Sequence, residues 1–151
     1  MKMPIMAGFT ALLLSVLLAI SYVDFKEMRI PDWLSALLLF CGLAFWFVTA
    51  RGSLPAQILA GIGMAAALFL IRFGHSRLTG QLGLGLGDVK MAGAGAVWIN
   101  PLLLPLFVFS ASASGLIYAL LIAKTDRGER LPFAPFLSIG LFSCWMTEHY
   151  L

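Results

Sequence analysis

Apolar and polar positions fall into blocks along this chain. The apolar blocks cover about 4–23, 33–50, 54–73, 89–100, 102–123 and 132–150. Most approach the ~20 residues that a helix needs to cross the hydrocarbon core. The fourth block is short, and its start can be set as early as Leu84 in the glycine run. Loop punctuation separates the blocks. Pro31-Asp32 opens the second, Arg51-Gly52-Ser53 forms a tight turn, and Arg72 to Gly87 is the longest polar connection. Asn100-Pro101 divides the fourth block from the fifth, and Lys124 to Arg130 is a charged loop. The pattern predicts an all-α, polytopic membrane helix bundle of about six transmembrane helices, in one domain over 1–151. The run from Ile5 to Val23 exceeds the h-region of a signal peptide, about 7–15 residues, and no small-x-small site follows it. It is expected to be a retained first span.

Composition agrees with this reading. The chain is 61% hydrophobic and 11% charged, where a soluble domain carries about 25% charged residues. The lipid bilayer is therefore its first partner. A net charge of +3 gives no basis for a nucleic-acid partner. The distribution of charge says more. With the N-terminus outside, Lys26, Arg29, Arg72, Arg77, Lys90, Lys124, Arg127 and Arg130 face the cytoplasm, and only Lys2 and Arg51 face outward. That asymmetry is what the positive-inside rule requires, and it predicts a multi-pass protein of the cytoplasmic (inner) membrane. Cys41 and Cys144 lie in apolar blocks, and no CxxC occurs. They read as small hydrophobes, and no metal or cofactor is expected. Gly61/Ala65 and Ala92/Ala96 are small-xxx-small pairs that let helices approach closely in lipid.

Acids are scarce, so each needs a reason. Asp126 and Glu129 alternate with Arg127 and Arg130 and read as solvated. Glu148 beside His149 suits an interface. Asp32 precedes Trp33 and suits an N-cap for the second helix. Asp24 and Asp88 stand apart, because charge counting puts both at the cytoplasmic ends of their helices and an acid at a bilayer edge commonly has a function. Asp88 has two readings on sequence alone. It suits a first-turn acid on a helix N-terminus. It also follows Gly83, Gly85 and Gly87, which alternate with leucines and would leave backbone bare for a substrate strand. Two carboxylates at one depth can share a proton, one activating water while the other polarises a carbonyl. The 64-residue separation puts them on different helices.

Three stretches carry a family resemblance. Asp24-Phe25-Lys26-Glu27-Met28-Arg29-Ile30-Pro31-Asp32-Trp33-Leu34, Gly85-Leu86-Gly87-Asp88-Val89-Lys90-Met91 and Leu131-Pro132-Phe133-Ala134-Pro135-Phe136-Leu137 occur in order. The chain resembles the type IV prepilin leader peptidases, within the GxGD class of membrane aspartic proteases. It is most similar to the short, peptidase-only form of tight-adherence (Flp-type) pilus systems. The resemblance implies a catalytic pair in Asp24 and Asp88, and substrate contact at Gly85 and Gly87. Weaker expectations for substrate binding fall on Glu27, as an acid facing a basic leader, and on Lys90, for which pairing with an acid or a lipid phosphate serves equally. The implied substrate is a prepilin-like precursor whose apolar helix begins just after the cut. The longer, bifunctional form carries CxxC motifs and methylates its product, and the absence of CxxC argues against a methyltransferase region here. Neither the oligomeric state nor the identity of the pilin follows from these residues. Archaeal preflagellin peptidases share the two-Asp scheme. A proton-coupled carrier or channel subunit using the same acids, or an inactive scaffold of a secretion machine, are the readings from other classes.

Overall fold

A computed structural model of the protein describes residues 2–80, 84–122 and 132–151. Each apolar block appears as an α-helix: α1 Lys2–Glu27, α2 Asp32–Thr49, α3 Leu54–Thr79, α4 Leu86–Ala96, α5 Leu104–Ile122 and α6 Ala134–Tyr150. Short 3-10 turns at Arg51–Ser53 and Pro101–Leu103 lead into α3 and α5. Among the described residues, Pro4–Glu27, Asp32–Thr49, Arg51–Thr79 and Pro101–Leu121 are long and apolar enough to cross a membrane. The chain is thus a polytopic helical bundle. The loop basic residues Lys124, Arg127 and Arg130, the acids Asp126 and Glu129, and Gly83 and Leu131 lie outside the described residues.

Helix ends depart from the apolar blocks in informative ways. α1 continues through Asp24 to Glu27, and Met28 closes it in the left-handed region at φ 52°, its N–H donating to the Asp24 carbonyl at 2.8 Å. α3 continues past Ile71 to Thr79, so Arg72 and Arg77 sit on a helix rather than in a loop. Polar residues end an apolar block without ending a helix. The stop is Gly80, at φ 68°, whose N–H bonds the Ser76 carbonyl. Asp32 is not a cap. Pro31 occupies the N-cap position without a side-chain bond, and the Asp32 carboxylate pairs with Lys90 instead.

α4 is the hub. Its 11 residues rise about 16 Å, half of the ~30 Å hydrocarbon core. It packs against α2, α3 and α6, while α1 lies on α2 and α6, and α5 lies on α6. Met91 to Ala96 are all buried. Small side chains make this possible. A Cβ on Gly93 would stand 2.9 Å from the Ala65 Cβ, and one on Gly61 would stand 2.9 Å from the Gly93 carbonyl. The predicted Gly61/Ala65 pair is therefore the α3 face of a backbone-to-backbone contact.

Aromatic side chains lock the end of the bundle remote from Asp24. Phe45 packs edge-on against Trp145 with centroids 4.8 Å apart, and Trp98 does so at 5.3 Å. The indole N–H of Trp98 donates to the Leu38 carbonyl at 2.8 Å, that of Trp46 to the Val97 carbonyl at 2.8 Å, and that of Trp145 to the Thr10 hydroxyl at 2.9 Å. Glu148 accepts from the Asn100 N–H at 2.8 Å, at the turn that leads into α5.

Candidate active site

α1, α4 and α6 bring their ends together around Asp24. The residue is 4% exposed, and its Oδ2 accepts a hydrogen bond from the Ala134 N–H at 3.0 Å. Ala134 opens α6, where the first N–H groups have no partner within the helix. Asp24 thus caps another helix from a distance of 110 residues in sequence. Pro135 in the first turn removes one N–H that would otherwise need a partner. The sequence marks the helix entry with Pro132 and Pro135, but nothing in it signals that Ala134 serves Asp24.

Asp88 stands in the first turn of α4. Its Oδ2 accepts from the Gly85 N–H at 3.3 Å, the acid-to-backbone half of a capping box. The cap reading therefore holds, and it leaves the rest of the carboxylate free for other work. The glycines line the cavity and also admit close packing. A Cβ on Gly85 would lie 2.8 Å from Asp88 Oδ2, and one on Gly87 would lie 3.1 Å from the Ile30 Cβ. Gly87 thus admits the loop between α1 and α2 close to Asp88. Because α4 starts at Leu86, Gly85 alone of this pair is extended, at φ −68° and ψ 146°, so the expected extended run does not reach Gly87.

Asp24 and Asp88 line a single cavity of about 210 Å³, walled by Met28, Arg29 and Ile30 on one side and by Gly85 to Gly87 on the other. At about 30 Å³ per water, it has room for several waters or a short stretch of backbone. Burial raises the Asp88 carboxyl to about 6, the negative charge of Asp24 adds to that, and the Gly85 N–H pulls the other way. The charge of Asp24 therefore reaches Asp88 across the cavity.

Other expected residues sit elsewhere. Lys90 Nζ is 2.7 Å from Asp32 Oδ1, tying α4 to α2, and it does not line the cavity. Both groups are half exposed or more, so the pair contributes under about 1 kcal/mol. Glu27 is exposed at the end of α1, also outside the cavity lining. Two residues were not singled out by sequence reasoning. Met28 holds the left-handed turn that swings Arg29 and Ile30 over the cavity. Arg72 donates from Nη1 to the Leu84 carbonyl at 2.5 Å, anchoring the glycine segment to α3. A lone arginine ending an apolar run is the one available signal for it.

Comparison with known proteins identifies the family. The sequence model of the type IV leader peptidase family matches residues 11–120. The chain is 29% identical over 147 residues to a prepilin leader peptidase/N-methyltransferase of Dichelobacter nodosus, covering 97% of this chain and 50% of that one. It is 34% identical over 142 residues to the protein of that name from Pectobacterium carotovorum subsp. carotovorum, covering 91% and 51%. For that of Legionella pneumophila the identity is 32% over 142 residues, covering 88% and 50%. The chain spans about half the length of the curated relatives it matches. No solved structure matches it. With the family match covering most of the chain, including both acids of the shared cavity, the chain belongs to the type IV leader peptidase family.

Proposed function

We propose that this chain is a membrane-embedded aspartic endopeptidase that cuts the basic leader from type IV prepilin-like (Flp-type) precursors at the cytoplasmic face of the inner membrane. The observation that carries the reading is the pair of carboxylates, from α1 and α4, lining one cavity. Of the two activities in the relatives' name, only the peptidase is proposed.

The roles follow from the surroundings of each acid. Asp24 is buried, and the Ala134 N–H that it accepts opposes the effect of that burial on its carboxyl. Asp88, raised to about 6, is assigned the proton of the pair. Ionised Asp24 takes a proton from water, and the water oxygen attacks the scissile carbonyl carbon. Protonated Asp88 gives its proton to the carbonyl oxygen as negative charge develops there. When the tetrahedral intermediate collapses, the C–N bond breaks, Asp24 returns its proton to the leaving amine, and Asp88 recovers its own from the hydroxyl. No cofactor takes part. The cavity is lined by bare glycine backbone at Gly85 and Gly87, suited to a peptide rather than to a bulky group.

The carrier reading lacks a comparable support, since both acids stand at helix ends rather than midway along a span. Liposomes containing the protein and a precursor with a basic leader, a glycine and a long apolar helix test the choice. A size shift to the mature form is expected. Proton movement with the precursor left intact would overturn the peptidase reading.

A further inference from the structure

α2 and α3 flank α4 and touch each other little. The space between them is an apolar groove of about 520 Å³, floored by α4. It runs along α2 from Asp32 to Leu43, about 16 Å at 1.5 Å per residue. Its lining includes small residues, Gly93 on the floor and Gly61 and Ala65 on the α3 wall. Its mouth lies at Asp32 and Lys90, each two residues along the chain from Ile30 and Asp88, which line the carboxylate cavity. The groove therefore continues the proposed active site downward, into the depth of the bilayer.

One polar atom inside it has no partner. Ser35 is 5% exposed, lines the groove, and its Oγ makes no hydrogen bond. A helical serine commonly satisfies itself on the carbonyl four residues back, and this one does not. At the mouth, the Asp32 carboxylate is 76% exposed, and its ion pair with Lys90 is weak. An acyl chain would offer nothing to either group. The N-terminus of an apolar helix would offer both: unpaired N–H groups for the Ser35 hydroxyl oxygen and a partial positive charge for Asp32.

We infer that the groove between α2 and α3 receives the first turns of the substrate's own apolar helix, with Ser35 and Asp32 reading its N-terminal end. This rests on the proposed peptidase reaction, in which the helix begins just after the bond that is cut. A helix seated with its start at Asp32 presents the preceding residues to Asp24 and Asp88. The groove then acts as a ruler that sets which bond reaches the acids.

Photo-cross-linking tests this without requiring turnover. A benzophenone amino acid is placed at Ile58 or Ala36 in the groove, or at lipid-facing Phe109 on α5, in an Asp88→Asn background reconstituted with the precursor. Cross-links to the precursor's apolar helix at Ile58 and Ala36 are expected at least about tenfold above Phe109, the margin of a specific site worth about 1.4 kcal/mol. Equal yields at the three positions, or capture of lipid alone in the groove, would overturn the inference. In the active protein, Ser35→Ala should raise KM for the precursor about fivefold at unchanged kcat, the loss of one hydrogen bond made equally in both states. An unchanged KM would remove Ser35 from the account. Processing by the wild type without groove cross-links would refute the docking alone. No processing by the wild type would refute the peptidase reading.

Discussion

Replacing Asp88 by Asn should stabilise the protein at neutral pH. The Asp88 carboxyl is raised from 3.8 to about 6, chiefly by burial and secondly by the Asp24 charge. A raised acid binds its proton more tightly folded than unfolded. Its contribution to stability is therefore complete below about 4 and is lost as pH rises through about 6. At about 1.36 kcal/mol for each tenfold change in proton affinity, the loss is about 3 kcal/mol. Partial solvent access at the cavity mouth screens it, which leaves about 1–3 kcal/mol. Asn has the same shape, carries no charge at any pH, and its side-chain oxygen can still accept the Gly85 N–H that Oδ2 accepts at 3.3 Å. Thermal unfolding in detergent between pH 4 and pH 8 is the assay. The variant should unfold several degrees above the wild type at pH 8, by roughly 2–4 °C per kcal/mol. The gap should close towards pH 4. A variant less stable than the wild type at pH 8, or a gap independent of pH, would refute the reasoning about burial and the Asp24 charge.

Further expectations address other parts of the molecule. Met28→Gly relieves a left-handed residue at φ 52° and should raise stability by about 1 kcal/mol, read by the same unfolding assay. Trp98→Phe leaves the Leu38 carbonyl, which the indole N–H reaches at 2.8 Å, without its partner. It should cost about 1–3 kcal/mol while leaving kcat per folded molecule unchanged, because the aromatic cluster is remote from the acids. Gly93→Val drives a side chain into Ala65 and the Gly61 carbonyl. It should cost about 1–3 kcal/mol or more, seen as a lower unfolding temperature. The profile of kcat/KM for precursor cleavage should fall on its alkaline side with an apparent pKa of about 6, as Asp88 loses the proton it donates. A flat profile from pH 5 to 8 would contradict that role.

Much of the bundle was legible because the bilayer imposes a length and a composition on each crossing. The six blocks, the short fourth one and the close approach at Gly61/Ala65 all follow from that constraint. The helix ends did not, since hydropathy marks where lipid ends and not where hydrogen bonding ends. Hence α1 runs on through Asp24, and α3 through Arg72 and Arg77. At the site, scarcity made Asp24 and Asp88 visible. Their neighbours carry no such mark. Ala134 acts through its backbone N–H, Met28 through its dihedral angle, and Arg72 through a carbonyl of the glycine segment. The glycines were visible too, but their closest contacts are Asp88 Oδ2 and Ile30 within the protein. Lys90 pairs with an acid, one of the two partners expected for it, and that acid is Asp32, which the pattern had suited to a helix cap.

The central claim is that Asp24 and Asp88 act on one water in their shared cavity. Separate Asp24→Asn and Asp88→Asn variants, reconstituted with a prepilin-like precursor and followed by the size shift of leader removal, test it most directly. Each variant, shown to be folded by its unfolding transition, should leave the precursor at full length. Complete processing by either one would contradict the account.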